Sequence, residues 1–239
     1  MIIPAIILSL VFASVGFLVT KNNARYILSG YNTMSEQQRS LVDIDGYLQF
    51  FKQFHLFLGI SVFVLVMGIC LFNANFAAII LGTYPLLAYC YFVLKGDRFF
   101  PDIKNRKIRT KVTVGILFLT TCGVGYLFFN GFKNSEILLE GNNLEITGMY
   151  GGKISRDKIL DVKLVDELPK IIMKSNGFSA GDFRKGYFKT KDRKTVKLFV
   201  NKKENQILLL NTTEGDIYLS SSDVDSEDLF LRVKKWRGL

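Results

Sequence analysis

The stretch Val112–Phe132, VTVGILFLTTCGVGYLFFNGF, constrains this chain more than any other. Similar apolar runs precede it, and no later segment is apolar enough to cross a bilayer as a helix. Backbone polar groups must be satisfied internally within a bilayer, so such runs have to be helical. Four spans are expected, at residues 2–20, 55–72, 76–94 and 112–132. The fold class read here is therefore an α-helical membrane domain of four transmembrane helices over residues 1–132. A β-rich domain ending in one α-helix follows over 133–239.

A net charge of +10 raises nucleic acid as a partner, but the placement of the charge argues otherwise. Residues 1–132 carry 11 Lys and Arg against 5 Asp and Glu, and residues 133–239 carry 20 against 16. The first excess lies in loops beside apolar spans, where basic residues signal topology. The second part mixes both signs, as a soluble surface does. No nucleic-acid partner is expected. The loop Lys95–Lys111 has seven basic and two acidic residues, whereas the turn Asn73–Asn75 has neither. The positive-inside rule puts that loop in the cytoplasm and the C-terminal domain outside. Lys104, Arg106, Lys107, Arg109 and Lys111 are also placed to contact anionic lipid, at roughly 1 kcal/mol each near the surface.

Ile2–Thr20 is uncharged, and Lys21 and Arg25 follow it rather than precede it. That is the flank of a retained helix, not of a cleaved signal. Helix formers continue to Gly30, which suits a left-handed C-cap. Thr33-Met34-Ser35-Glu36 has the form of a capping box with Thr33 as the cap. Gly30–Thr33 reads as a joint, and the next helix is expected to run unbroken through Ser35–Gln53 with a kink at Gly46. A capped joint accounts for Gly30 and Thr33 without any ligand. The competing reading is a binding site at Tyr31, Asn32 and Thr33.

The hexapeptide Gly30–Ser35 follows one span and precedes a short polar helix and two more spans. In this it resembles an uncharacterised bacterial integral-membrane family that shares a GYNTM-S element, over about residues 1–95. It is also similar to small membrane proteins related to the immunity protein against a sporulation-delaying toxin. The resemblance implies a multi-pass protein of the bacterial cytoplasmic membrane and carries no activity with it.

His55, the one histidine, stands at the edge of the second span and reads as an interfacial polar residue. Pro85 should kink the third span. Ala78 with Gly82, and Thr121 with Gly125, are spaced for close helix packing. Cys70, Cys90 and Cys122 fall inside spans as small hydrophobes. No span core contains Asp, Glu, Lys or Arg, which disfavours ion-coupled transport. No nucleophile–base pair, carboxylate pair, metal cluster or nucleotide loop emerges, so no enzyme, cofactor or metal is expected.

From Glu136 the pattern changes to period two. Leu144 and Ile146, then Leu160, Val162 and Leu164, then Val196, Leu198 and Val200 alternate with other residues, as in half-buried antiparallel strands. Asn176–Gly186, with three glycines, reads as a long loop able to touch a partner. Arg184 and Lys185 are candidate binding residues beside it, in a basic patch with Lys189 and Lys191. Asp225–Asp228 opens a closing helix with Leu229, Val233 and Trp236 on one face. The segments Lys174–Gly177, Gly186–Lys189, Lys197–Val200 and Thr213–Tyr218 resemble the bacterial PH-like domains appended to membrane helices, over about residues 136–237. That resemblance implies a PH-like barrel with its helix plugging one end. Eukaryotic relatives hold phosphoinositides through basic residues in an early strand–strand turn. Here that turn, Met149–Lys153, has one lysine and does not support the carry-over. The expected function is a non-enzymatic membrane protein presenting a PH-like interaction module to a protein partner, or to another copy of itself, at the lipid bilayer. The alternative is a small transporter, channel or toxin-immunity protein.

Overall fold

The computed structural model describes residues 2–101, 106–220 and 224–238. The chain forms two compact units, Met1–Tyr126 and Leu127–Leu239.

In the first unit, α1 (Ile2–Leu18) is followed by the short turns α2 (Ala24–Ile27) and α3 (Glu36–Ser40), then α4 (Ile44–Cys70), α5 (Ala74–Gly96) and α6 (Arg106–Phe132). Three helical segments are long and apolar enough to cross a membrane: Ile44–Cys70, Ala74–Phe99 and Arg106–Phe132. The first helix has 17 residues, at the lower end of the range that spans hydrocarbon. It stops at Leu18 instead of continuing to Gly30, because Asn23 takes over its end. The Asn23 amide donates to the Leu18 carbonyl at 2.8 Å, and its Oδ1 accepts from the Thr20 amide at 2.7 Å. Small residues let α1 lie against α4. A methyl group added at Gly59 would sit 2.6 Å from the Ser9 carbonyl, and one at Gly16 would sit 3.1 Å from the Lys52 carbonyl. Of the spaced small pairs, Ala78 is buried, but Gly125 faces open space within this chain. Helix α5 continues through Pro85.

His55, read as an interfacial polar residue, is buried against neighbouring side chains. It is 1% exposed inside α4, where Nδ1 meets the Phe51 carbonyl at 2.7 Å and Nε2 meets the Tyr89 hydroxyl of α5 at 3.0 Å. The helix itself starts eleven residues before it, at Ile44.

The second unit carries nine strands and α7 (Ser226–Arg237). A three-stranded antiparallel sheet holds β1 (Ile137–Glu140), β2 (Asn143–Ile146) and β3 (Gly152–Ser155). A six-stranded sheet, in the order β4-β8-β9-β7-β6-β5, holds β4 (Ile159–Val165), β5 (Ile171–Ala180), β6 (Phe183–Thr190), β7 (Thr195–Asn201), β8 (Ile207–Thr212) and β9 (Gly215–Leu219). One pair departs from the antiparallel expectation: β9 inserts between β8 and β7 and runs parallel to β7.

Register forces the larger sheet to curl. Leu164, Leu208, Leu219, Phe199, Lys185 and Phe178 form one row of paired positions across all six strands. Flat, this row would be about 24 Å wide, and Ile171 would lie about 23 Å back along β5. The chain from Leu164 to Ile171 reaches only about 25 Å, against the roughly 33 Å a flat sheet would demand. The sheet therefore bends round, and Val165, Leu168 and Ile171 close over Leu198, Val200 and Leu209 on one face. The other face packs Phe199, Leu208, Leu210 and Leu219 against Leu144 and Ile146 of the small sheet and Leu229 and Val233 of α7. Strands buried on both faces read as continuous apolar runs, as in Ile207-Leu208-Leu209-Leu210. In β4 a bulge after Ile159 shifts the alternation, so that Ile159 is buried and Leu160 is 57% exposed.

Helix α7 is tied at its end. Trp236 Nε1 donates to the Gly141 carbonyl at 3.0 Å, Arg237 Nε donates to the Ile159 carbonyl at 2.7 Å, and Gly238 caps the helix at φ +82°.

Candidate functional site

The joint after α1 is capped differently from its sequence reading. Gly30 is left-handed, at φ +86°, as expected. The cap of α3 is Ser35, whose hydroxyl accepts from the Gln38 amide at 3.2 Å while the Gln38 side chain accepts from the Ser35 amide at 3.1 Å. Thr33 instead donates to the Gly30 carbonyl at 3.2 Å, and Asn32 Oδ1 accepts from the Gly30 amide. Two overlapping S/T-x-x-E/Q frames compete here, and the later one wins. Gly46 is no kink. Its amide is capped by Asp43 at 2.9 Å, where α4 begins afresh.

Beside this joint lies a cavity of about 360 Å³. Ser29, Gly30 and Met34 form one wall, Tyr47, Phe92, Val93 and Gly96 a second, and Asp97, Phe100, Arg106, Arg109, Thr110 and Thr113 the rest. Two groups that are separate in the sequence, the joint and the basic loop, thus line one space. Asp97 accepts from Arg106 Nε at 2.6 Å and from Thr110 at 2.9 Å, and the Arg106 guanidinium lies 4.2 Å from the Phe100 ring centre. Arg106 is therefore a half-buried ion-pair member. Lys107, Arg109 and Lys111 are exposed on α6, and Lys104 lies outside the described residues. Tyr31 is partly buried and Asn32 and Thr33 are exposed, none of them lining the cavity. Sequence reasoning missed Asp97, Tyr47 and Phe100. An acidic residue in a loop of seven basic ones was the signal for the first.

In the second unit, Asn176–Gly186 is not a loop. β5 and β6 form a hairpin whose turn is Gly181-Asp182, with Gly181 at φ +51°. Phe178 of that hairpin packs between Phe128 and Phe132 of α6, with ring centres 5.9 and 5.4 Å away. Gly131 leaves room for it, since a methyl group there would collide with the Phe178 ring. Arg184 and Lys185 occupy opposite faces of β6 and do not make one patch. Lys185 is 1% exposed, and its ammonium donates to the Lys133 carbonyl just beyond α6. Burial pushes that ammonium down to about 8.

The turn Gly148–Gly151 holds Tyr150 left-handed at φ +64°. Its lysine, Lys153, is paired with Glu145 at 3.2 Å. Residues 135–234 match the family model of the Bacterial PH domain. The fold of the second unit is PH-like. Residues 6–99 match a domain of unknown function, DUF3784, so the two-part architecture stands. That description does not by itself confirm the family inferred from the hexapeptide. No curated protein and no solved structure matches the chain.

Within the PH-like domain, charges segregate. Lys153, Lys158, Lys163, Lys203 and Arg232 each meet a carboxylate. Lys170, Lys174, Lys189, Lys191, Arg193 and Lys194 are all exposed and have no carboxylate partner among the described residues. They gather at the start of β5 and in the adjoining β6–β7 turn, because Ile171 pairs with Thr190 and Lys174 with Phe188. β5 is the last strand of its sheet, and Ile172 and Met173 on it are 59% and 51% exposed.

Proposed function

We propose that this is a non-enzymatic membrane protein whose PH-like domain docks an extended, acidic protein segment along the outer edge of β5. The observation that carries this is the coincidence of an unpaired strand edge, two exposed apolar side chains and six unpaired cations at one end of that strand. Backbone pairing supplies affinity in such strand addition, while flanking charge selects the partner. The ion-paired Lys153 in the early turn leaves a multiply charged headgroup without its usual donors. Transport is disfavoured because Ser61 and Tyr84 share a hydrogen bond of 2.8 Å, and His55 engages Tyr89. The proposed setting is the bacterial cytoplasmic membrane, with the domain on its outer side.

The test uses the full chain in neutral-lipid nanodiscs and a peptide of about eight residues alternating Glu and Val. Hydrogen exchange should slow along β5 when the peptide is added. Lys170→Glu with Lys174→Glu should weaken binding about tenfold, 1.4 kcal/mol. Unchanged β5 exchange, together with salt-resistant, headgroup-selective binding to anionic vesicles, would replace protein docking with lipid recognition. Equal attraction to single-stranded nucleic acid would reduce the patch to nonspecific charge.

A further inference from the structure

We infer that the cavity beside the joint is a binding site for the phosphodiester headgroup of an anionic membrane lipid, with Arg109 as its charge-bearing residue. The argument starts from charge. Asp97, the carboxylate in the wall, is already satisfied by Arg106 and Thr110. Arg109 has no carboxylate partner among the described residues, so among these the cavity has one cation without a counter-charge. A phosphodiester brings one negative charge, and a guanidinium fork matches two of its oxygens.

Hydrogen-bonding capacity is left over as well. The hydroxyls of Ser29 and Thr113 border the cavity and make no hydrogen bond among the described residues. Both are donors suited to phosphate oxygens.

The rest of the lining selects a lipid over a free anion. Tyr47 and Phe100 meet edge to face with ring centres 4.9 Å apart, and Phe92 lies 6.2 Å from Tyr47. Such a wall would be wasted on inorganic phosphate, but it can shelter the glycerol and upper acyl carbons of a lipid. The cavity also sits where α4 and α6 begin and α5 ends, three helices of membrane-crossing length. Headgroups reside at that level. Diffuse attraction of exposed lysines to a charged leaflet needs no cavity and no hydroxyls, so the two ideas make different predictions.

The experiment is native mass spectrometry of the full chain released from nanodiscs of phosphatidylcholine containing a minority of phosphatidylglycerol. Preferential retention of phosphatidylglycerol is expected. Arg109→Gln should reduce that preference about tenfold, the loss of one charge-assisted contact. Lys111→Gln, also exposed on α6 but outside the cavity, should change it by less than about twofold. Thermal unfolding in phosphatidylcholine alone checks that each variant folds. Should Arg109→Gln fail to fold, Ser29→Ala with Thr113→Val supplies the second route to the same loss. Equal losses for Arg109→Gln and Lys111→Gln, or no preference in the native chain, would overturn the site. Displacement of the lipid by millimolar glycerol phosphate would show a site for a soluble anion instead, and would overturn the lipid assignment.

Discussion

Lys185 shows how far a residue's role can lie from its sequence neighbourhood. Beside Arg184 it reads as surface charge. In the sheet it occupies a row with Leu208, Leu219 and Phe199, and its ammonium donates to the Lys133 carbonyl. Its folded pKa of about 8 lies below the ordinary lysine value of 10.5. Below about pH 8 both the folded and unfolded states carry the proton, and above the ordinary value neither does. Between them the unfolded state binds more protons, so stability rises with pH. Compared with Lys185→Met, the native chain should therefore gain thermal stability between pH 8 and 10.5, the window these two values bound. A flat difference between their unfolding temperatures across that window would mean that the ammonium is solvated.

At the scale of elements, the cap of α3 offers a direct comparison. Ser35 and Gln38 satisfy each other's backbone amides, while Thr33 only returns a hydrogen bond to Gly30. Ser35→Ala should cost about 0.5–2 kcal/mol, and Thr33→Ala only a few tenths. Denaturant unfolding of the two variants ranks them, and the reverse order would restore Thr33 as the cap. The joint could be recognised in the sequence because Gly30 has one good use at a helix end. The frame of the cap could not, since Thr33 and Ser35 each stand three residues before a Glu or Gln. The β5–β6 hairpin was hidden for a related reason. Glycines at 177, 181 and 186 suggest a loop, but only Gly181 turns the chain. Gly177 and Gly186 are paired positions where the strands approach too closely for a side chain.

For the whole molecule, topology is the main open prediction. By the positive-inside rule, the basic connection between α5 and α6 is expected to leave the C-terminal domain outside, whether or not the 17-residue α1 crosses. In a chain stripped of Cys70, Cys90 and Cys122, single cysteines at Ala74 and Ser179 should react with an impermeant thiol reagent, and one at Lys107 should not. Reaction at position 107 alone would invert the protein and move its partner to the cytoplasm.

Apolar runs and charge asymmetry are local properties, so the sequence alone determined a helical membrane part, a change to β structure near Glu136 and an amphipathic final helix. Leu229 and Val233 of that helix are buried as its period required. Tertiary structure decided what depends on distant partners. Register put Lys185 inside the sheet, brought to one strand edge six cations that have no carboxylate partner among the described residues, and inserted β9 parallel to β7. Helix packing buried His55 against Tyr89 and folded the joint and the first turns of α6 around one cavity. Each of these depends on which elements meet in the folded chain, and neither periodicity nor composition encodes such pairing.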